Sequence, residues 1–168
     1  MYLQIDLKME NIKKSFARCK AEKRPALVTY VMAGYPTKKA TVDILLGLQR
    51  GHADIIELGL PYSDPIADGE AITKASTTAL SNGVTIESTL QTVKDARSRG
   101  LKVPLLFMGY YNPILSYGEE RLLNNAKEAG VDGFIIVDLP TEEAVRLRNY
   151  CTQAGWVNIN SSSMTLIR

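Results

Sequence analysis

The sequence predicts an α/β domain on a parallel sheet, and three observations carry that prediction. Continuous apolar runs rich in strand-forming residues recur at 26–33 (ALVTYVMA), 53–60 (ADIIELGL), 103–110 (VPLLFMGY) and 133–139 (GFIIVDL). None of them alternates apolar with polar residues, which is how strands covered on both faces of a parallel sheet read. Between the runs lie stretches with apolar residues three and four apart, giving a βα rhythm. The chain has 168 residues, 45 % hydrophobic and 23 % charged, enough to bury one core.

Residues 1–8 (MYLQIDLK) form an extra N-terminal segment with no assigned role, and the domain is expected over 9–155. It opens on an amphipathic helix whose basic residues Lys8, Lys13, Lys14, Arg18, Lys20, Lys23 and Arg24 make a solvated face, with Ile12 and Phe16 opposite. After the first strand, Pro36-Thr37 precedes a helix carrying Val42, Leu45, Leu46 and Gln49. The segment 68–83 (DGEAITKASTTALSNG), which follows the second strand, is long enough for an additional short helix. Thr85-Ile86-Glu87 opens the next helix, on which Leu90, Val93 and Ala96 share a face, and Thr141-Glu142-Glu143 opens one after the fourth strand. A fifth strand is due beyond Ala154-Gly155, yet 156–168 (WVNINSSSMTLIR) is a divergent tail with a polar run where apolar residues should continue.

Composition excludes several function classes. A formal charge of +2, from 20 basic and 18 acidic residues, leaves no basic stripe for nucleic acid. Cys19 and Cys151 stand apart without CxxC spacing and the single histidine is His52, so no metal site is expected. His52 lies in a helix-to-strand turn at the far end of the sheet and reads as a surface residue. No run of about 18 apolar residues could span a bilayer and no secretory leader is visible, which points to a cytoplasmic setting without membrane contact. Nucleotide-binding glycine loops and the GxSxG nucleophile elbow are absent.

The chemistry-bearing residues are carboxylates. Glu57 follows two isoleucines and precedes Gly59, at the carboxyl end of the second strand. An apolar wall there raises a carboxyl pKa and lets the group exchange protons near pH 7. A buried glutamate satisfied by backbone or by Tyr110 is the competing reading. Asp64 and Asp68 sit in SDPIADG, where aspartate before proline and before glycine also serves simply to form turns. Glu57, Asp68, Tyr30 and Tyr110 are expected at one rim, where long βα loops carry the chemistry of α/β proteins. Two carboxylates and two aromatic rings suit a flat substrate bearing an N–H or hydroxyl.

ALVTYVMAGYP, ADIIELGLPYSDPIADG, MGYYNPI and GFIIVDLP, in that order, resemble the α subunit of tryptophan synthase from about residue 9 to about 155. AGYP and YGEERLL are similar to chains in which α and β activities are fused. The resemblance implies a TIM (β/α)8 barrel, of which only the first four to five βα units are present here. It implies retro-aldol cleavage of indole-3-glycerol phosphate to indole and glyceraldehyde 3-phosphate, with no cofactor in this chain. Glu57 would protonate indole C3 and take the glycerol hydroxyl proton, while Asp68 would hold the indole N–H. Tyr30, Met108 and Tyr110 would line the indole pocket. Asp64 and Asn112 would meet a tryptophan synthase β subunit or domain, which carries pyridoxal phosphate and receives indole through a tunnel.

Met32, Glu70 and His52 depart from the threonine, proline and glycine usual in the family. A TIM barrel takes about 250 residues and draws its phosphate site from loops after the last strands. A sheet of four or five strands is therefore expected to lack that grip and to leave open edges and a bare apolar inner face. The alternative function is a non-catalytic half-barrel that binds a β-type partner or self-associates.

Overall fold

The computed structural model describes residues 6–139, 141–153 and 165–167. Its elements are α1 (Asp6–Ala21), β1 (Val28–Met32), α2 (Ala40–Arg50), β2 (Ile55–Gly59), α3 (Glu70–Ser81), α4 (Ile86–Ser98), β3 (Leu105–Gly109), α5 (Tyr111–Tyr117), α6 (Glu119–Ala129), β4 (Gly133–Ile136), α7 (Thr141–Gln153) and β5 (Thr165–Ile167). The sheet order is β1-β2-β3-β4-β5. Strands β1 to β4 pair parallel, whereas β5 lies antiparallel on β4. The fifth strand is thus a short backward edge and not a further barrel strand. Residues 1–5 of the extra N-terminal segment, 156–164 and 168 of the divergent tail, and Cys151 as a side chain lie outside what is described.

Register sorts the strand residues onto two faces. Ile56, Leu58, Leu105, Phe107, Phe134 and Ile136 face the helices and form the main core with Leu45, Val93 and Leu122. Phe107 meets Phe134 edge to face with centroids 5.9 Å apart. Burying each such ring contributes roughly 2–3 kcal/mol. The other face carries the rows Tyr30, Glu57, Leu106, Gly133 and Met32, Gly59, Met108, Ile135.

That second face is not bare as expected. Ile12 of α1 packs on Ile55, Leu106 and Ile135, all four buried, so the N-terminal helix covers the lower part of the inner face. The buried stripe of α1 is Ile12, Ser15 and Cys19, while Phe16 is 44 % exposed, which corrects the expected apolar face. Positions 12, 15 and 19 are the ones that share a side of a 3.6-residue turn. The edge at β1 does stay open, with Leu27 and Val28 at 49 % and 42 % exposure.

Nor is the basic face of α1 only solvated. Asp54 accepts from Arg18 Nη2 at 2.6 Å, from Arg24 Nη1 and Nη2 at 2.6 and 2.9 Å, and from the Leu27 N–H at 2.9 Å. Those bonds hold the Asp54 carboxyl well below the usual range, the Arg24 guanidinium being the largest cause. Asp132, at the amino end of β4, likewise accepts from Arg97 Nη2 at 2.7 Å and the Leu105 N–H at 2.9 Å. Together these bonds seat α1 and the strand starts at the amino end of the sheet.

Two turn positions give stability predictions. His52 is exposed and adopts φ 63°, in the left-handed region that favours glycine. His52→Gly is expected to raise the unfolding free energy by about 0.5–1 kcal/mol in a urea titration, with strain relief exceeding the entropy that glycine adds to the unfolded chain. Gly34 has φ +81°, and a Cβ there would lie 2.1 Å from Val84 Cγ2. Gly34→Ala is expected to cost about 3 kcal/mol by the same measurement, combining strain with overpacking. No helix among the described residues is long and apolar enough to cross a membrane.

Candidate functional site

Glu57 occupies the middle of β2 two residues before Gly59, half-buried on the inner face. Burial raises its carboxyl pKa, as the strand context predicts. Tyr30 is its register partner on β1 and lies on the same face. The phenol extends over Gly59, where a Cβ would fall 2.2 Å from the hydroxyl, so only glycine lets the ring lie against the β2 backbone. The Tyr30 hydroxyl donates to the Met32 Sδ at 3.8 Å. Met32 is buried, and its thioether supplies the acceptor at the position flagged as unusual. Burial, then the charges of Asp68 and Glu57, push the Tyr30 phenol far above its ordinary value, so it keeps its proton.

Asp68 is partly buried in the loop between β2 and α3. The hydroxyl of buried Tyr110 accepts from the Ala67 N–H at 3.0 Å and faces the Asp68 carboxylate. The Tyr110 pKa is raised, by burial first. Met108 is half-buried in the inner row beside Gly59. Glu57 and Tyr30 thus lie side by side in mid-strand on the inner face, and not at the strand end where Glu57 is expected, while the loop after β2 brings Asp68 to Tyr110 just past the end of β3.

Asp64 and Asn112 lie on the surface. Asp64 is exposed and accepts from the neighbouring Ser63 hydroxyl. Asn112 is exposed and its Nδ2 donates to the Tyr62 hydroxyl at 3.0 Å. Ile66, on the same loop as Asp64, is 81 % exposed. Glu70 is the first residue of α3, with Gly69 at the N-cap, and its negative charge in the first turn suits the helix dipole. His52 lies at the opposite end of β2 from this rim. Among the described residues no group of three or more His, Cys, Asp or Glu could hold a metal ion.

Sequence reasoning missed the residues that hold the Asp68 loop in place. Buried Ser76 of α3 accepts from the Tyr62 N–H at 2.9 Å and donates to the Tyr62 carbonyl at 2.8 Å. The Tyr62 ring packs on Tyr110 with centroids 5.3 Å apart. A signal existed, because a serine on the same stripe as Ala75 and Ala79 is a polar group on a buried face and requires a partner. Tyr111 is the second omission. Its N–H donates to Asp138 Oδ1 at 2.7 Å, its hydroxyl donates to Glu119 Oε1 at 2.8 Å, and Arg146 Nη2 donates to that hydroxyl at 2.9 Å. Burial pushes the Tyr111 phenol up to about 12. These bonds join the segment after β3 to α6, α7 and the turn after β4. No local pattern announces them.

The chain is similar in sequence and fold to known proteins. A family model described as tryptophan synthase alpha chain matches residues 16–165. The chain is 58 % identical over 146 residues to the tryptophan synthase of Saccharomyces cerevisiae, covering 87 % of this chain and 21 % of that protein. It is 45 % identical over 147 residues to the tryptophan synthase alpha chain of a Roseiflexus species, covering 88 % of this chain and 56 % of that one. Among solved structures, tryptophan synthase subunit alpha from Legionella pneumophila superposes with a TM-score of 0.82 at 37 % identity, over 86 % of this chain and 55 % of that chain. Ligand-free tryptophan synthase from M. tuberculosis, a mutant in its alpha chain, gives 0.80 at 36 % identity, over 85 % and 57 %. The chain thus spans about a fifth to just over half the length of these relatives, and its sheet is a partial TIM barrel. With the family model matching most of its length and two solved alpha chains sharing its fold, this chain belongs to the tryptophan synthase alpha chain family.

Proposed function

We propose that this chain carries the acid–base half of a lyase site that cleaves indole-3-glycerol phosphate to indole and glyceraldehyde 3-phosphate, in cytoplasmic aromatic amino-acid synthesis. The observation that carries the proposal is a half-buried carboxyl, Glu57, with its pKa raised by burial, on the strand that leads into the loop carrying Asp68. Glu57 in its protonated form gives its proton to indole C3, and the ring becomes an indoleninium with positive charge at nitrogen. Asp68 accepts the N–H bond and stabilises that charge. The resulting Glu57 carboxylate takes the proton from the glycerol hydroxyl next to the ring, the C3 to side-chain bond breaks, and its electron pair restores the indole. The hydroxyl carbon leaves as the aldehyde, and Glu57 ends as it began.

Tyr30, Met108 and Tyr110 would line the pocket for the bicycle. No cofactor is assigned to this chain; pyridoxal phosphate belongs to the β partner, whose docking we assign to Asp64, Asn112 and the exposed Ile66. No phosphate contact is assigned among the described residues. Orientation by the ring alone predicts turnover well below that of a complete barrel.

The test is indole release from indole-3-glycerol phosphate by the purified chain, with and without a tryptophan synthase β subunit. Release that increases with the partner supports the lyase. Complex formation without release favours the second reading, a half-barrel docking module, for which the exposed Ile66 and the open β1 edge speak.

A further inference from the structure

The Tyr30 hydroxyl is a strong donor resting on a poor acceptor. A phenol O–H given to a thioether makes a weak bond, whereas a bond to a carboxylate is about twice as strong as one between neutral groups. The geometry that puts it there is specific. Tyr30 pairs in register with Glu57, so both side chains rise from the same face of adjacent strands. The ring tips toward Gly59, in contact with Met32 of the next row. The titratable groups whose charge reaches the phenol are Asp68 from the loop after β2, Glu57 from β2 and Tyr110 from the end of β3, and of these Glu57 is its register neighbour on the same face. Burial raises the Glu57 carboxyl pKa, and no hydrogen bond from a donor among the described residues lowers it again.

From this arrangement, and resting on the lyase reading above, we propose that Tyr30 is a positioning residue for Glu57. Its O–H stays on the Met32 sulfur while Glu57 is neutral and swings to the Glu57 carboxylate once that group has given its proton away. The step moves a hydrogen bond and no proton, so the charge balance of the reaction is untouched. It supplies stabilisation only in the state in which Glu57 is ionised, which is the state that follows proton transfer to the ring. Interactions of that kind raise kcat and do not tighten ground-state binding. Met32 is the resting post, which gives a physical role to the methionine.

Two near-isosteric variants read the proposal with opposite signs. Tyr30→Phe removes the donor, so the Glu57 carboxyl should titrate at higher pH than in the unmodified protein. Met32→Leu removes the competing acceptor at nearly constant volume, so Tyr30 should give its bond to Glu57 and the carboxyl should titrate at lower pH. The measurement is carbon-13 NMR of the glutamate and aspartate carboxyls against pH, with Glu57→Gln assigning the Glu57 signal. It needs no substrate, so it is decided even if the chain releases no indole; absence of indole release with opposite shifts would count against the lyase alone. If release is observed, Tyr30→Phe should lower kcat about tenfold with little change in KM. Shifts of the same sign in both variants, or an unmoved Glu57 signal with the Asp68 signal moving in its place, would overturn the proposal.

Discussion

Glu57→Gln is expected to lower indole release by roughly 10²- to 10⁴-fold, the range typical of losing a positioned general acid and base. The amide keeps the size and hydrogen-bonding surface of the side chain and removes only its proton chemistry. KM should change little, because Glu57 acts on the reacting atoms and the pocket walls are other residues. Stability should move the opposite way from activity. The folded pKa of Glu57 lies above its unfolded value of about 4.3, since burial disfavours the charge. Any contribution it makes to folding is therefore full below that pH and is lost as pH rises through the folded pKa. At pH 7 the neutral glutamine escapes that penalty, so the variant should unfold at the same urea concentration or a higher one. A large drop in stability accompanying the loss of release would mark Glu57 as a structural group and sink its catalytic role. The pH profile adds a check: release should fade on the alkaline side as Glu57 loses the proton it must donate, and this limb should be missing from residual turnover in the glutamine variant.

Asp54→Ala is expected to destabilise the fold by about 2 kcal/mol, the cost of losing charge-assisted bonds to two partly exposed arginines and leaving a backbone N–H without its acceptor. Asp54 is 1 % exposed and joins three separate stretches: the end of α1 through Arg18, the following turn through Arg24, and the start of β1 through the Leu27 N–H. Its loss leaves that N–H without its acceptor and lets go of the helix that covers the inner face at Ile55, Leu106 and Ile135. Because the folded pKa is depressed, the stabilisation is present above the unfolded value of about 3.9 and is lost as pH falls through the lower folded value. Urea midpoints should therefore separate the two proteins at pH 7 and draw them together on acidification below about pH 4. A difference in midpoint that stays constant from pH 7 to pH 3 would show that the carboxylate charge is not what holds α1 down.

Asp54 and Glu57 show how much could be read in advance. Both lie in the same short apolar run, and a strand period of two sends them to opposite faces. Gly59 does end the strand, yet Glu57 lies at its middle, so local pattern gave the strand and its face but set the carboxylate too near the end. That Asp54 would gather two arginines from an earlier helix and turn did not follow from it, because nothing in ADIIELG specifies which distant side chain arrives. The same limit explains the misplaced Phe16. Periodicity fixes which α1 residues share a side, but the direction in which that side faces depends on where the helix lands. Ser76 was legible in principle as a hydroxyl on an apolar stripe, whereas the bonds among Tyr111, Glu119 and Arg146 bridge elements far apart in the chain.

By itself the sequence determined the parallel strands and the helices between them. These features rest on burial periods, caps and breakers that act within a few residues of one another. Only the tertiary structure decided that β5 runs backward along β4, that α1 turns Ile12 into the inner face, and that the Tyr30 hydroxyl rests on sulfur beside Glu57. Those outcomes depend on how separated segments meet, and contact between residues remote in the chain is set by the packing of the whole and not by any local run.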